Sequence, residues 1–366
     1  MIKSREIDKF LIIATLLLFA AGVVMIYSTT YIMAMKKYSN EYFFVKRHLW
    51  SGFLALTMFI VAIRIPYHTY RKIVYPLLIL SGIMLVLVLI PGIGHTVGGA
   101  RRWLKIGSFT FQPSEFAKLS VIIYLAYSLA AKSEKIKTFG VGFLPHIIIT
   151  GIIMLLMLVE TDFGTTMSLG AITLIMMFVA GVRIRHIISI FVVAVPFIYI
   201  IVTKKSYMMS RILVFLDPWK DPAGAGFQII QSFLAFGAGG IWGAGLGEGR
   251  QKLFYLPEAH TDFIFSVVGE ELGLIGVGII IFLYLLFLIS GTRISLVAPD
   301  LYGTYLAIGL TLLVSIQAVV NMGVVMGLLP TKGLTLPFIS YGGTSLMINM
   351  IGVGMLLNIY MKSQEH

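Results

Sequence analysis

The chain has 366 residues, of which 58% are hydrophobic and only 12% charged, and its mean hydropathy is +0.95. A soluble domain carries about 25% charged residues, so this composition excludes an ordinary globular enzyme and points to a polytopic membrane protein. The absence of cysteine excludes disulfides, thiolate metal sites and cysteine nucleophiles, and the scattered histidines form no HExxH-like pair.

Lys3, Arg5 and Lys9 precede an apolar run with no evident small-residue cleavage site, so the first segment reads as a membrane helix rather than a cleaved signal. With this first one there are ten apolar segments in order, at about 10–32, 49–64, 73–91, 114–131, 143–159, 165–182, 186–203, 264–290, 303–327 and 342–361, each near the ~20-residue spanning length. The segment at 143–159 is the weakest, because Pro145 and His146 shorten it. The short loops "RIPYHTYRK", "AKSEKIK" and "RIRH" are basic, which places them and both termini in the cytoplasm. The expected fold is all-α: one integral membrane domain of ten helices, with extracytoplasmic loops at about 92–113, 204–263 and 328–341. The second is the large loop between helices 7 and 8, and loops of that length are usually functional.

The first outer loop, "GHTVGGARRWLKIGSFTFQPSEFAKLS", groups Arg101, Arg102 and Lys105 around Trp103. It reads either as an interfacial Arg/Trp belt or as an anion site built from Arg forks and a helix N-terminus. Ser114 is a candidate N-cap of the next helix, with Glu115 and Lys118 at pairing distance in its first turns. In "VETDFGT", Glu160 and Asp162 read most simply as a solvated turn between two short helices. The long loop supplies Arg211, Lys220, Arg250 and Lys252, and its glycines do not match a P-loop.

"YLPEAHTDFIFSVVGEELG" concentrates four of the 16 acidic residues. A helix starting near Pro257 would set Glu258 and Asp262 one turn apart on one face. Glu270 would lie about 12 Å further along the axis, and Glu271 nearly opposite Asp262. Carboxylates inside a membrane helix are costly and are functional candidates by default; for Glu270 and Glu271 the competing reading is a structural ion pair. "GLLPTKGLTLPFISYGGTSL" cannot be one helix, because Pro330, Pro337 and Gly342-Gly343 interrupt it. It reads as a re-entrant or interfacial loop presenting Lys332 and hydroxyls such as Ser340.

Arg101, Arg102, Lys105, Lys118, Arg211, Arg250 and Lys332 thus come from outer loops or helix starts around one outer carboxylate, Asp262. Cations, or a divalent metal, with one general base suit chemistry on a lipid-linked pyrophosphate. The rival reading is a transporter or lipid flippase, which would need matched polar groups on the inner side as well.

The motifs "GGARRWLKIG", "QPSEFAK", "ETDFGT", "LPEAHTDFIFSVVGEELG" and "GLLPTKGLTLPFISYGGTSL", in this order over nearly the whole chain, resemble the SEDS family (shape, elongation, division and sporulation proteins). The last motif looks more like the cell-division branch than the elongation branch, with a sporulation paralogue as neighbour. The resemblance implies a peptidoglycan glycosyltransferase of the bacterial inner membrane that polymerises lipid II into β-1,4 strands during cell division, releasing undecaprenyl pyrophosphate with inversion. It places the family's essential aspartate on Asp262, and its Glu and Lys on Glu115 and Lys118. Asp262 is then the base, or the ligand of a divalent cation (Mg2+ or Mn2+). Glu258, Glu270 and Ser340 support it. The expected partners are lipid II, a class B penicillin-binding protein (an FtsI-like transpeptidase) and other divisome proteins. No organic cofactor or nucleic acid is expected.

Overall fold

The structure is a computed structural model and describes residues 8–97, 100–107, 109–204, 206–224, 226–250, 256–331 and 333–365. The first helix, α1 (Lys9–Tyr38), begins where the Asp8 carboxylate accepts the Leu11 amide at 2.9 Å, a standard satisfaction of a first-turn donor. It is followed by α2 (Phe43–Arg64), the short α3 (Tyr67–Lys72) and α4 (Val74–Leu89). After a three-stranded sheet come α5 (Pro113–Ala131), α6 (Leu144–Val159), α7 (Phe163–Val179), α8 (Ile184–Lys204), α9 (Ser206–Leu216) and α10 (Phe227–Gly239). The long α11 (Ile264–Val297), α12 (Leu301–Val325) and α13 (Gly343–Ser363) complete the chain.

Seven helices among the described residues, namely α1, α2, α5, α6 with the π-turn before it, α11, α12 and α13, are long and apolar enough to cross a membrane. Helices α4, α7 and α10 are apolar but shorter. The apolar spans of α13, α5 and α12 are 94%, 78% and 72% buried, against 22% for α2, so these three form the centre of the bundle. Large apolar side chains such as Trp50, Ile79, Phe282 and Ile289 stay exposed on peripheral helices. A bilayer rather than water is the medium that suits such a surface.

Two sequence expectations change here. The loop at 92–113 is not irregular: β1 (Gly94–Val97), β2 (Ala100–Ile106) and β3 (Phe109–Phe111) form an antiparallel sheet in that order, so the protein is not purely α. The register pairs Leu104 with Phe111 and Lys105 with Thr110, and Gly107 at φ 61° makes the tight turn. In addition, α11 starts at Ile264, after Asp262, and is broken at Gly273 (φ 64°, ψ −164°). A straight helix from Pro257 through Glu271 therefore does not exist, and the angular relations expected along it fail.

The break in α11 is bridged by the chain that leaves α10. Ala244 and Gly245 amides donate to the Glu270 and Glu271 carbonyls at 2.9 and 3.1 Å. Leu274 and Ile275 amides donate back to Gly240 and Ile241 at 2.9 and 3.3 Å. The carbonyls and amides freed by the break are thus paired within protein, as backbone in a membrane requires. The two carboxylates join the same strap. Glu271 accepts Ser28 Oγ of α1 (2.6 and 2.7 Å) and the Gly247 amide (3.2 Å), and Glu270 accepts the Arg250 amide at 2.7 Å.

Candidate active site

Asp262 lies in the turn that precedes α11, where Glu258 (φ 56°) accepts the Thr261 and Phe263 amides. Three hydrogen bonds from distant segments lock this turn. The Tyr341 amide donates to the His260 carbonyl at 3.0 Å. Ser340 Oγ donates to the Thr261 carbonyl at 2.5 Å while accepting the Leu336 amide. Asn321 Nδ2 of α12 donates to the Asp262 carbonyl at 2.8 Å and to the Leu334 carbonyl at 2.6 Å. Gly333 lies so close that an added Cβ would sit 2.8 Å from Asp262 Oδ2. The loop before α13 therefore wraps the acidic turn, and its Pro/Gly content is what lets it do so.

The electrostatic surroundings of Asp262 come from four segments. Burial pushes its carboxyl up to about 7, and the negative charges of Glu258 and Asp162 push the same way, while Arg102 and Arg211 oppose. Arg102, on β2, is held by the turn between α6 and α7: Nη2 donates to the Thr161 carbonyl at 2.6 Å and Nε to the Glu160 carbonyl at 3.4 Å. Thr161 takes φ 62°, a costly conformation for a non-glycine residue. Arg211 Nη1, on α9, donates to the Thr331 carbonyl at 2.5 Å. Asp162 caps α7 and also accepts Ser114 Oγ at 3.0 Å and Gln112 Nε2 at 3.2 Å, tying the start of α5 to the start of α7.

Below this lies a second polar chain. Lys118, fully buried, pairs with Glu115 at 2.9 Å and donates to Gln317 Oε1 of α12 at 2.9 Å. Gln317 Nε2 then reaches the Thr335 carbonyl and hydroxyl at 3.0 and 3.1 Å. One network thus runs from α5 through α12 to the loop that grips Asp262. At the rim, the rings of Phe44, His260 and Tyr341 group at centroid distances of 5.7–5.9 Å.

Of the proposed cations, Arg102 and Arg211 are the two among the described residues whose charge acts on Asp262. Arg101 turns away: Nη1 donates to the Leu89 carbonyl at 3.0 Å and anchors the sheet on α4. Lys105 and Arg250 are exposed, with no described contact to Asp262, and Lys118 is consumed by its own pair. Lys332 lies outside the described residues, as does Lys252. Glu258 neighbours Asp262 in the turn rather than through a shared helix face. Glu270 serves the α11 break. Ser114 is not the N-cap, which is Gln112 with Pro113 after it. Glu160 and Asp162 are 2% and 1% exposed, so the solvated-turn reading of that motif is wrong. Sequence reasoning also passed over Gln317 and Asn321, although two carboxamides four residues apart in an apolar run share one helix face.

A sequence profile of the family described as cell cycle protein (FtsW, RodA and SpoVE) matches residues 8–365. The chain is 49% identical, over 97% of its length and 96% of the relative's, to a probable peptidoglycan glycosyltransferase FtsW of Geobacter metallireducens. It is 43% identical, over 98% of each chain, to stage V sporulation protein E of Bacillus subtilis. Among solved structures, it superposes on a chain of a peptidoglycan synthase complex, studied for its coordination of polymerization and crosslinking. There the TM-score is 0.80, with 29% identity, over 98% of this chain and 99% of that one. For the rod shape determining protein RodA of Thermus thermophilus the TM-score is 0.68, with 26% identity, over 97% and 96%.

Proposed function

Because the chain belongs to the FtsW, RodA and SpoVE family of cell cycle proteins, we propose that it is a peptidoglycan glycosyltransferase, most like the FtsW branch, that polymerises lipid II in septal wall synthesis. The observation that carries the mechanism is Asp262: a carboxylate tuned to about 7, held in a fixed turn and faced by two arginines. A group with that affinity for protons is matched to general-base work near neutral pH. Asp262 takes the proton of the acceptor N-acetylglucosamine 4-hydroxyl as its oxygen attacks C1 of the donor N-acetylmuramic acid. The bond from C1 to the pyrophosphate oxygen breaks on the opposite side, turning an α linkage into a β-1,4 linkage. Arg102 and Arg211 stabilise the charge gathering on the departing undecaprenyl pyrophosphate.

No group of three or more acidic or histidine side chains that could hold a metal occurs among the described residues. Were a divalent cation to bind, Asp262 and Glu258, neighbours in the turn, would be the carboxylates to hold it, since Mg2+ sites commonly use one or two protein carboxylates. It would supply charge neutralisation at the leaving group.

The ten-span reading adds α4, α7 and α8 to the seven spans named above. It puts the sheet, the Glu160–Asp162 turn, the Asp262 turn and the loop before α13 on the extracytoplasmic side of the inner membrane. A transpeptidase of the class B penicillin-binding type is the expected partner, consistent with the synthase complex that this chain resembles.

The deciding experiment supplies purified protein and its transpeptidase partner with lipid II. Glycan strands on a gel from the wild type, and none from Asp262→Asn, support the reading. Full polymerisation by Asp262→Asn would remove Asp262 from the chemistry. Movement of lipid II across liposomes without any polymer would favour the flippase instead.

A further inference from the structure

The turn between α6 and α7 carries a carboxyl group that the proposed chemistry does not use. Glu160 is 2% exposed, and neither of its carboxylate oxygens has a hydrogen-bond partner among the described residues. Yet its own carbonyl, with that of Thr161, is what holds the Arg102 guanidinium. A buried carboxylate left without a partner is expensive, so the position calls for a reason beyond packing.

We propose that Glu160 is a positioning residue that sets the effective charge of Arg102: neutral, it leaves the guanidinium's full positive charge for an incoming pyrophosphate, and ionised, it cancels that charge and weakens the anion site. The inference rests on the pyrophosphate-binding role of Arg102 in the proposed function. Three observations support it. The Arg102 guanidinium donates to the backbone carbonyls of Glu160 and Thr161, so the arginine is held against the turn that carries the buried carboxyl. Among the described residues, the charged groups that act on Glu160 are Arg102 from β2 and Asp162 from the head of α7. Asp162 is itself held by Gln112 and Ser114 of α5. Finally, Arg102 and Asp162 are both also felt by Asp262, which ties this turn to the reacting carboxylate.

Burial pushes Glu160 up to about 8, the charge of Asp162 pushes it further up, and Arg102 pulls it down. Glu160 is therefore neutral at pH 7 and ionised at pH 9. A bound pyrophosphate would raise its proton affinity further, so binding and protonation favour each other. Affinity for the anion is then highest below about pH 8 and falls above it, by roughly five- to tenfold between pH 7 and pH 9 if the anion raises the carboxyl by about one unit.

The test measures binding of undecaprenyl pyrophosphate to the purified full-length protein from pH 6.5 to 9, with no polymerisation required. Glu160→Gln copies the neutral form. It is expected to bind like the wild type at pH 7 and to lack the extra alkaline loss, so the ratio of the two dissociation constants steps by roughly five- to tenfold across pH 8. A second variant, Arg102→Gln, removes the charge to be cancelled and the group that pulls Glu160 down. It is expected to bind more weakly at pH 7 and to show no such step. The proposal is overturned if Glu160→Gln and wild type weaken in parallel to pH 9, or if the step persists in Arg102→Gln. If the wild type does not bind the lipid even at pH 7, the fault lies in the anion-site reading itself.

Discussion

Asp262 and Lys118 are both charged groups set against apolar surroundings, and they meet the cost in different ways. Lys118 has a fixed partner, Glu115, and a fixed acceptor, Gln317, so its charge is settled. Asp262 is pushed up to about 7 first by burial and then by Glu258 and Asp162, and Arg102 and Arg211 only partly offset this. The polymerisation rate is therefore expected to rise with pH through about 7 as the base form accumulates, which a pH–rate profile of kcat would show. A rate independent of pH from 6 to 8 would exclude titration of Asp262. For Lys118 the expectation is structural. Lys118→Met strands the Glu115 carboxylate, and the loss of stability should reach about 3–5 kcal/mol. The double variant Lys118→Met, Glu115→Gln should recover a large part of it, as read by thermal unfolding in detergent. Equal losses in both would show that the pair is not the unit.

At the scale of elements, the break in α11 explains why four acids in one stretch do different work. Gly273 needs its left-handed φ, and a Cβ there would lie 2.4 Å from the Gly243 amide nitrogen and 2.5 Å from the Ile241 carbonyl oxygen. Gly273→Ala is expected to destabilise by roughly 2–3 kcal/mol from backbone strain alone, with added loss where the strap is pushed away. Protease cleavage within 240–249 should accelerate in that variant, and an unchanged cleavage rate would mean that the strap does not depend on the break. The apolar helices were legible because burial in a bilayer demands them, and seven among the described residues are long and apolar enough to span. The break was not, because its partner amides come from the far side of α10, and apolar periodicity does not carry that information. The sheet was missed for a related reason. Its alternation around Trp103 and Leu104 is short, and the two arginines there suggested an anion site before a strand. The site was half legible. Asp262, Arg102 and Arg211 were read from charge and from their place in the outer loops, and Asp262 also from the family resemblance, whereas Glu160, Gln317 and Asn321 owe their roles to packing between helices remote in sequence.

For the molecule as a whole, the lack of cysteine offers a clean test of orientation. Single cysteines replacing Lys220, whose side chain is 79% exposed between α9 and α10, and Lys135, between α5 and α6, should behave oppositely. A membrane-impermeant maleimide is expected to label Lys220→Cys in intact spheroplasts, and Lys135→Cys only after permeabilisation. Labelling of both, or of Lys135→Cys alone, would overturn the outward-facing site. Activity in the Lys220→Cys protein should stay near that of wild type, since Lys220 pairs with Asp217, whose side chain is 42% exposed.

The grip of residues 333–341 on the Asp262 turn has a consequence for the order in which the protein becomes competent. Ser340 reaches back 79 positions to Thr261, and Asn321 59 positions to Asp262. The ribosome delivers Asp262 well before either clamp. A nascent chain that has inserted only as far as α11 lacks both of these clamps on its acidic turn, since they come with α12 and the loop before α13. With Asp262 as the proposed base, a chain truncated before α12 is expected to lodge in the membrane without polymerising lipid II.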